Sequence, residues 1–207
     1  MAATYRAVGF GSGQTTGSFT GTKPTGTVSG DILIAFQASD TDSTLTDLGT
    51  PTGGATWQLL GSRSGGPIQK YWWKVAGGSE PTTYGFTQGS TANGIVIIVA
   101  VSGGATTTPI HANNSSGSTT TVTTPTITSP GADALELRFA SGIAGGATTW
   151  TPPSGHTERR EQQVSTNLSG HVTTRALTAG GATGTANHTA SVNQTSRGGV
   201  TIAVATA

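Results

Sequence analysis

The chain carries nine carboxylates, four histidines and no cysteine, so any acid–base or metal chemistry must be assembled from that short set. Asp40-Thr41-Asp42 with Asp47 is the densest acidic string, and clustered carboxylate oxygens are what calcium takes. The spacing departs from the EF-hand pattern, because Leu45 stands where that loop needs glycine and Pro51 where it needs the closing glutamate. The segment reads as a solvated acidic loop, with Asp40, Asp42 and Asp47 as the candidate oxygens of a looser calcium site. Glycoside hydrolysis needs two carboxylates facing each other across a cleft. Asp31 and Asp133 open two equivalent strands, where turn and register roles account for them. Glu158 and Glu161 flank Arg159-Arg160 and are expected to pair locally. His111, His156, His171 and His188 follow no metal-ligand spacing and read as surface or turn residues. No Gly-x-Ser-x-Gly elbow accompanies a histidine. The reading is of a non-enzymatic protein with no catalytic residue, no metal and no cofactor.

Tyr71-Trp72-Trp73-Lys74 is the most unusual local string. In a strand, Tyr71, Trp73 and Val75 share one face and Lys70, Trp72 and Lys74 the other. The first set reads as core. The second places a tryptophan between two lysines on the outer face, a candidate contact surface for a protein or a sugar. The plainer account is that the two lysine stems lie over the ring.

The elements that must position these residues are strands. Threonine outnumbers even the 32 glycines, and these two types favour strands and tight turns over helices. Only 9% of residues are charged and the net charge is +1, which argues against nucleic acid as a partner. No basic segment followed by an apolar one opens the chain, so no signal peptide is visible, and the run Ile95 to Val101 is too short to span a bilayer. A protein made in a cytoplasm, with no membrane partner, is expected.

The chain is also written twice. A shift of 102 residues carries Asp31 of Gly30-Asp31-Ile32-Leu33 onto Asp133 of Ala132-Asp133-Ala134-Leu135, and Pro51-Thr52-Gly53 onto Pro153-Ser154-Gly155. The apolar stretch Asn93 to Ala100 is echoed by Gly198 to Ala205. Residues 1–29 read as an N-terminal arm with a first strand around Val8 and Phe10. Residues 30–102 form the first half-repeat, 103–131 a Thr/Gly/Pro-rich connector, and 132–207 the second half-repeat, the two halves forming one domain. The pattern predicts an all-β fold: a two-layer antiparallel β-sandwich, jelly-roll-like, with about a dozen short strands and internal pseudo-duplication. The alternative is two separate small sandwiches. The two are told apart by whether the apolar strands 94–102 and 199–206 lie in one core.

The repeated plan resembles virion structural proteins of tailed phages, particularly those infecting actinobacteria. The features that match are Gly30-Asp31-Ile32-Leu33-Ile34-Ala35, the Pro-x-Gly at Pro51, Trp57, Tyr71 through Lys74-Val75-Ala76, and Glu80 through Phe86. In the second half, Thr151-Pro152-Pro153-Ser154-Gly155 and Thr157-Glu158-Arg159 match, while His156 stands where such sequences commonly carry tryptophan. The resemblance implies a capsid decoration or minor capsid protein that binds and reinforces the outer shell. Its partners would be the major capsid protein, other virion proteins and further copies of itself, and its location the virion. The N-terminal arm, residues 2–29, is the expected docking element. The resemblance also admits a tail-tip or fibre module that binds host-surface glycans, with Trp72 as the stacking ring. No catalytic residues carry over, because the matched positions are packing and turn residues.

Overall fold

The runs of β-branched and aromatic residues become strands wherever glycine, proline or Asn/Asp clusters bound them. The computed structural model describes residues 1–14, 16–40, 44–89, 91–116 and 119–207, with only the backbone described at 110 and 113–116. In the first half these are β1 (Thr4–Gln14), β2 (Ser18–Thr22), β3 (Ile32–Ser39), β4 (Gln58–Arg63), β5 (Ile68–Val75), β6 (Thr83–Thr87) and β7 (Asn93–Ser102). The second half has β8 (Ile110–Ser116), β9 (Thr119–Thr124), β10 (Thr128–Ser129), β11 (Leu135–Ile143), β12 (Trp150–Thr151) and β13 (Thr157–Val164). It closes with β14 (Leu168–Ala176), β15 (Gly181–Ala182), β16 (Ala186–Gln194) and β17 (Ser196–Val204). The helical content among the described residues is one 3-10 turn, Leu45–Asp47.

The pairing repeats. One antiparallel sheet has the order β1-β7-β3-β5-β4, and a second has β8-β17-β11-β14-β13. A short sheet, β2-β6, accompanies the first and another, β9-β16-β12, the second. Both halves therefore follow a jelly-roll order of a large sheet and a small one. The inner faces of the two large sheets meet in one core. Ile34, Phe36, Ile97 and Val99 from one half pack with Leu137, Phe139, Val172 and Ile202 from the other. The strands 93–102 and 196–204 thus line a single core. Phe36 and Phe139, equivalent positions of the two halves, stack there with ring centroids 5.0 Å apart.

The predicted sandwich is all-β and antiparallel, as observed, and it carries a further layer on each outer face. Phe19, Tyr84 and Phe86 of β2 and β6 pack with Leu33, Ala35, Trp72, Val96 and Ile98, the outward residues of the first large sheet. This layer also changes the reading of residues 1–29. Thr4–Gln14 pairs with β7 along its length and Ser18–Thr22 pairs with β6, so most of the expected arm is built into the sheets and is not a free docking tail.

Register refines the repeat. Ile32 pairs with Val75 as Leu135 pairs with Ala176, so β3 maps onto β11 with a shift of 103 and β5 onto β14 with a shift of 101, in place of a uniform 102. Asp133 consequently occupies the place of Gly30, not of Asp31: the amide of Asp133 donates to Leu177 as that of Gly30 donates to Ala76. Both sit in the left-handed region, with φ of 61° and 90°. Glycine adopts that conformation freely, and aspartate is among the residues that tolerate it. Asp31 is instead the register aspartate expected: its carboxylate accepts from the Val28 amide and pairs with Arg6 at 2.7 Å.

Candidate functional site

The outward face of the first large sheet is where the sequence places a contact surface, and the structure does not. Trp72 is 3% exposed and Lys74 is fully buried, because the β2–β6 layer covers them. Alternation along β5 separates two faces correctly, but the second face meets another sheet and not water. Trp72 donates its indole N–H to Gln37 at 3.3 Å. Lys70, half-buried, lies over the Trp72 ring and donates to the Leu48 carbonyl. Lys74 Nζ lies against the rings of Trp57 and Tyr84 and pairs with Glu80 at 2.6 Å. Burial alone would push Glu80 up, but bonds from Lys74, the Gly77 amide and the Tyr84 hydroxyl outweigh it and hold its carboxyl below the usual range. These residues form a structural hub that closes one end of the first half.

Of the calcium candidates, the two described ones already have partners. Both Asp40 oxygens are engaged, by the Asn93 amide and side chain at 2.8 and 2.7 Å and by the Asn167 side chain at 2.5 Å. Asp40 thereby ties the two halves together. Asp47 accepts from the Thr44 hydroxyl. Asp42 lies outside the described residues.

The chemistry gathers instead at the matching layer of the second half, where the apolar filling is replaced by polar groups. Leu33 and Ala35 correspond to Glu136 and Arg138, and Trp72 corresponds to Thr173. Glu136 is fully buried and pairs with Arg138 at 2.6 Å, Arg175 at 2.8 Å and His156 at 3.1 Å. Burial raises its pKa, and His156, Arg138 and Arg175 more than reverse that, leaving it below the ordinary carboxylate range. Arg138 in turn donates to Thr124 and the Gly184 carbonyl. His156, standing where a tryptophan was expected, acts here as a polar packing residue.

Two histidines expected at the surface are in this layer. His171 on β14 and His188 on β16 are both fully buried, with Nδ1 to Nδ1 at 2.8 Å. Burial pushes His171 down to about 4 and holds His188 well below the ordinary imidazole value, so neither carries charge at neutral pH. His171 stacks on Trp150 and turns its Nε2 to Glu158 at 3.2 Å. Glu158 and Glu161 do not pair with their neighbouring arginines. Arg159 and Arg160 lie over Tyr5 and Phe10 of β1, joining β13 to the other half. Glu161 accepts from the Trp150 amide at 2.5 Å. The donor atoms of Glu158, Glu161 and His171 all lie within 4.8 Å of one another. Among the described residues, this is the group of acidic and histidine side chains arranged to hold a metal ion.

The sequence offered one usable signal for this site. In β14, Leu168 and Val172 face the core, so His171 must face the other way, and a second layer there would bury it. The bulge between Glu158 and Arg160, which puts Glu158 and Glu161 on one face, had no signal.

No protein-family model matches this chain, and neither a curated protein nor a solved structure is significantly similar to it. No described helix is long and apolar enough to cross a membrane.

Proposed function

We propose that the protein is a structural component of a phage virion, a capsid decoration or minor capsid protein that binds and reinforces the outer shell. The observation that carries this reading is a four-layer stack of antiparallel sheets whose outer strands present hydroxyl and amide side chains. One outer face presents Ser18, Thr20, Thr22, Thr83 and Thr87, and the other Asn187, Thr189 and Ser191. Uncharged surfaces of this kind suit main-chain and van der Waals contact repeated by symmetry on a lattice. The residues that carry the resemblance to tailed-phage virion proteins are building positions: β3 is buried throughout, and Lys74 and Glu80 are the hub.

With the N-terminal strands built into the sheets, docking falls to these outer faces and the loops between them. The tail-tip reading loses its stacking ring to burial, since the large apolar side chains exposed among the described residues are Met1, Val28 and Leu59. Quantitative mass spectrometry of purified particles tests the proposal. A copy number in fixed proportion to the shell protein is expected, and a handful of copies per particle would overturn it.

A further inference from the structure

The polar layer of the second half contains an arrangement that the fold itself does not require, and the first half supplies the comparison. At the same lattice points, β4 and β5 carry Leu59, Ser62 and Lys70 where β13 and β14 carry Glu158, Glu161 and His171. The bulge is present in both halves, between Leu59 and Gly61 and between Glu158 and Arg160. In the second half it turns two glutamates three residues apart, which regular alternation would place on opposite faces, toward one histidine. The first half places a lysine ammonium at this point. The second places two carboxylates there, and among the described residues neither pairs with a lysine or arginine.

We propose that Glu158, Glu161 and His171 bind a divalent first-row transition ion at the bulge of β13. The donor set is one imidazole nitrogen and two carboxylates, which zinc and its neighbours take and which calcium, an all-oxygen ion, does not favour. The spacing fits. Donors at about 2.1 Å from one ion in tetrahedral array lie about 3.4 Å apart, and His171 Nε2 stands 3.2 Å from Glu158 Oε2. All three donors fall within 4.8 Å, a span that small rotations of two side chains close.

His188 is the second and independent observation. It is fully buried, its Nδ1 meets that of His171, and its own Nε2 has no hydrogen-bond partner among the described residues. One proton lies between the two Nδ1 atoms. When His171 donates it, His171 Nε2 keeps its lone pair for an ion, and His188 is the acceptor that fixes the tautomer. Metal-ligating histidines are commonly held in this way through their other nitrogen. The Trp150 amide similarly holds one Glu161 oxygen and leaves the other available. Glu158, with its side chain 41% exposed, leaves the site open to solvent for entry and for further water ligands.

The test is zinc chloride titration of the EDTA-treated full chain, read by calorimetry and by thermal unfolding. Two-bond proton–nitrogen spectra of the imidazoles provide a second readout. Saturable one-to-one binding, a raised midpoint and a shifted His171 Nε2 resonance are expected. Glu158→Gln and Glu161→Gln should each weaken binding by at least about tenfold while leaving the metal-free midpoint close to that of the parent. The absence of saturable binding would overturn the proposal. So would undiminished binding in the double variant, an unmoved His171 resonance, or equal protection by calcium. The assay uses isolated protein, so its outcome does not depend on whether the chain belongs to a virion.

Discussion

Phe36 and Phe139 offer a direct probe of how the two halves are joined. They are equivalent residues, both fully buried, and their rings stack at 5.0 Å and 17° in the middle of the shared core. Truncating either to alanine should cost about 3–5 kcal/mol, combining lost transfer energy with the cavity left behind. Leucine is the gentler substitution and keeps the chain folded, so the informative set is Phe36→Leu, Phe139→Leu and the double variant. A stacked aromatic pair contributes about 0.5–1.5 kcal/mol beyond area burial, and contacting residues couple by about that amount. The double variant should therefore lose less than the two single losses added together, by roughly 1 kcal/mol. Guanidinium unfolding can be followed by tryptophan fluorescence, weighted toward Trp57, Trp72 and Trp73 of the first half, and by circular dichroism of the whole chain. The two signals should move together in one transition for every variant. Additivity within about 0.3 kcal/mol, or separate transitions for the two signals, would mean that the halves fold as independent sandwiches.

Two further perturbations address the buried charges. Lys74→Met removes one partner of a buried pair and strands Glu80, so stability should fall by about 3–5 kcal/mol in denaturant unfolding; an unchanged midpoint would show that the hub does not hold that end of the slab. Glu80 and Glu136 both have folded pKa values below the ordinary 4.5, so the unfolded chain takes up their protons at higher pH than the folded one. Their stabilisation is complete above about pH 4.5 and is lost as pH falls through the folded values, so the midpoint should drop steadily there. Glu80→Gln should flatten part of that acid limb, and a parallel profile in the variant would contradict the assignment.

Much of the fold was legible because strand periodicity and the repeat report local geometry. Ile68–Val75 forms where the aromatic and β-branched pattern places a strand. The outer layers were harder to read. Alternation tells which residues share a face, but not whether that face meets water or another sheet, and so the sequence alone places Trp72, Lys74, His171 and His188 at the surface. Tyr84 and Phe86, alternating on one face of β6, were the missing partner for that face. The one-residue offset of the repeat was hidden because Asp133 can adopt the left-handed turn that Gly30 adopts. The Glu158–Arg160 bulge depends on main-chain pairing with β14 and leaves no mark in composition.

The most direct test of the account is electron cryomicroscopy of intact particles that carry this protein. The account predicts density for the slab on the outer shell at regular lattice positions, with an outer face of β2–β6 or β9–β16 against the shell protein. Density confined to the tail, or its absence from the head, would contradict it.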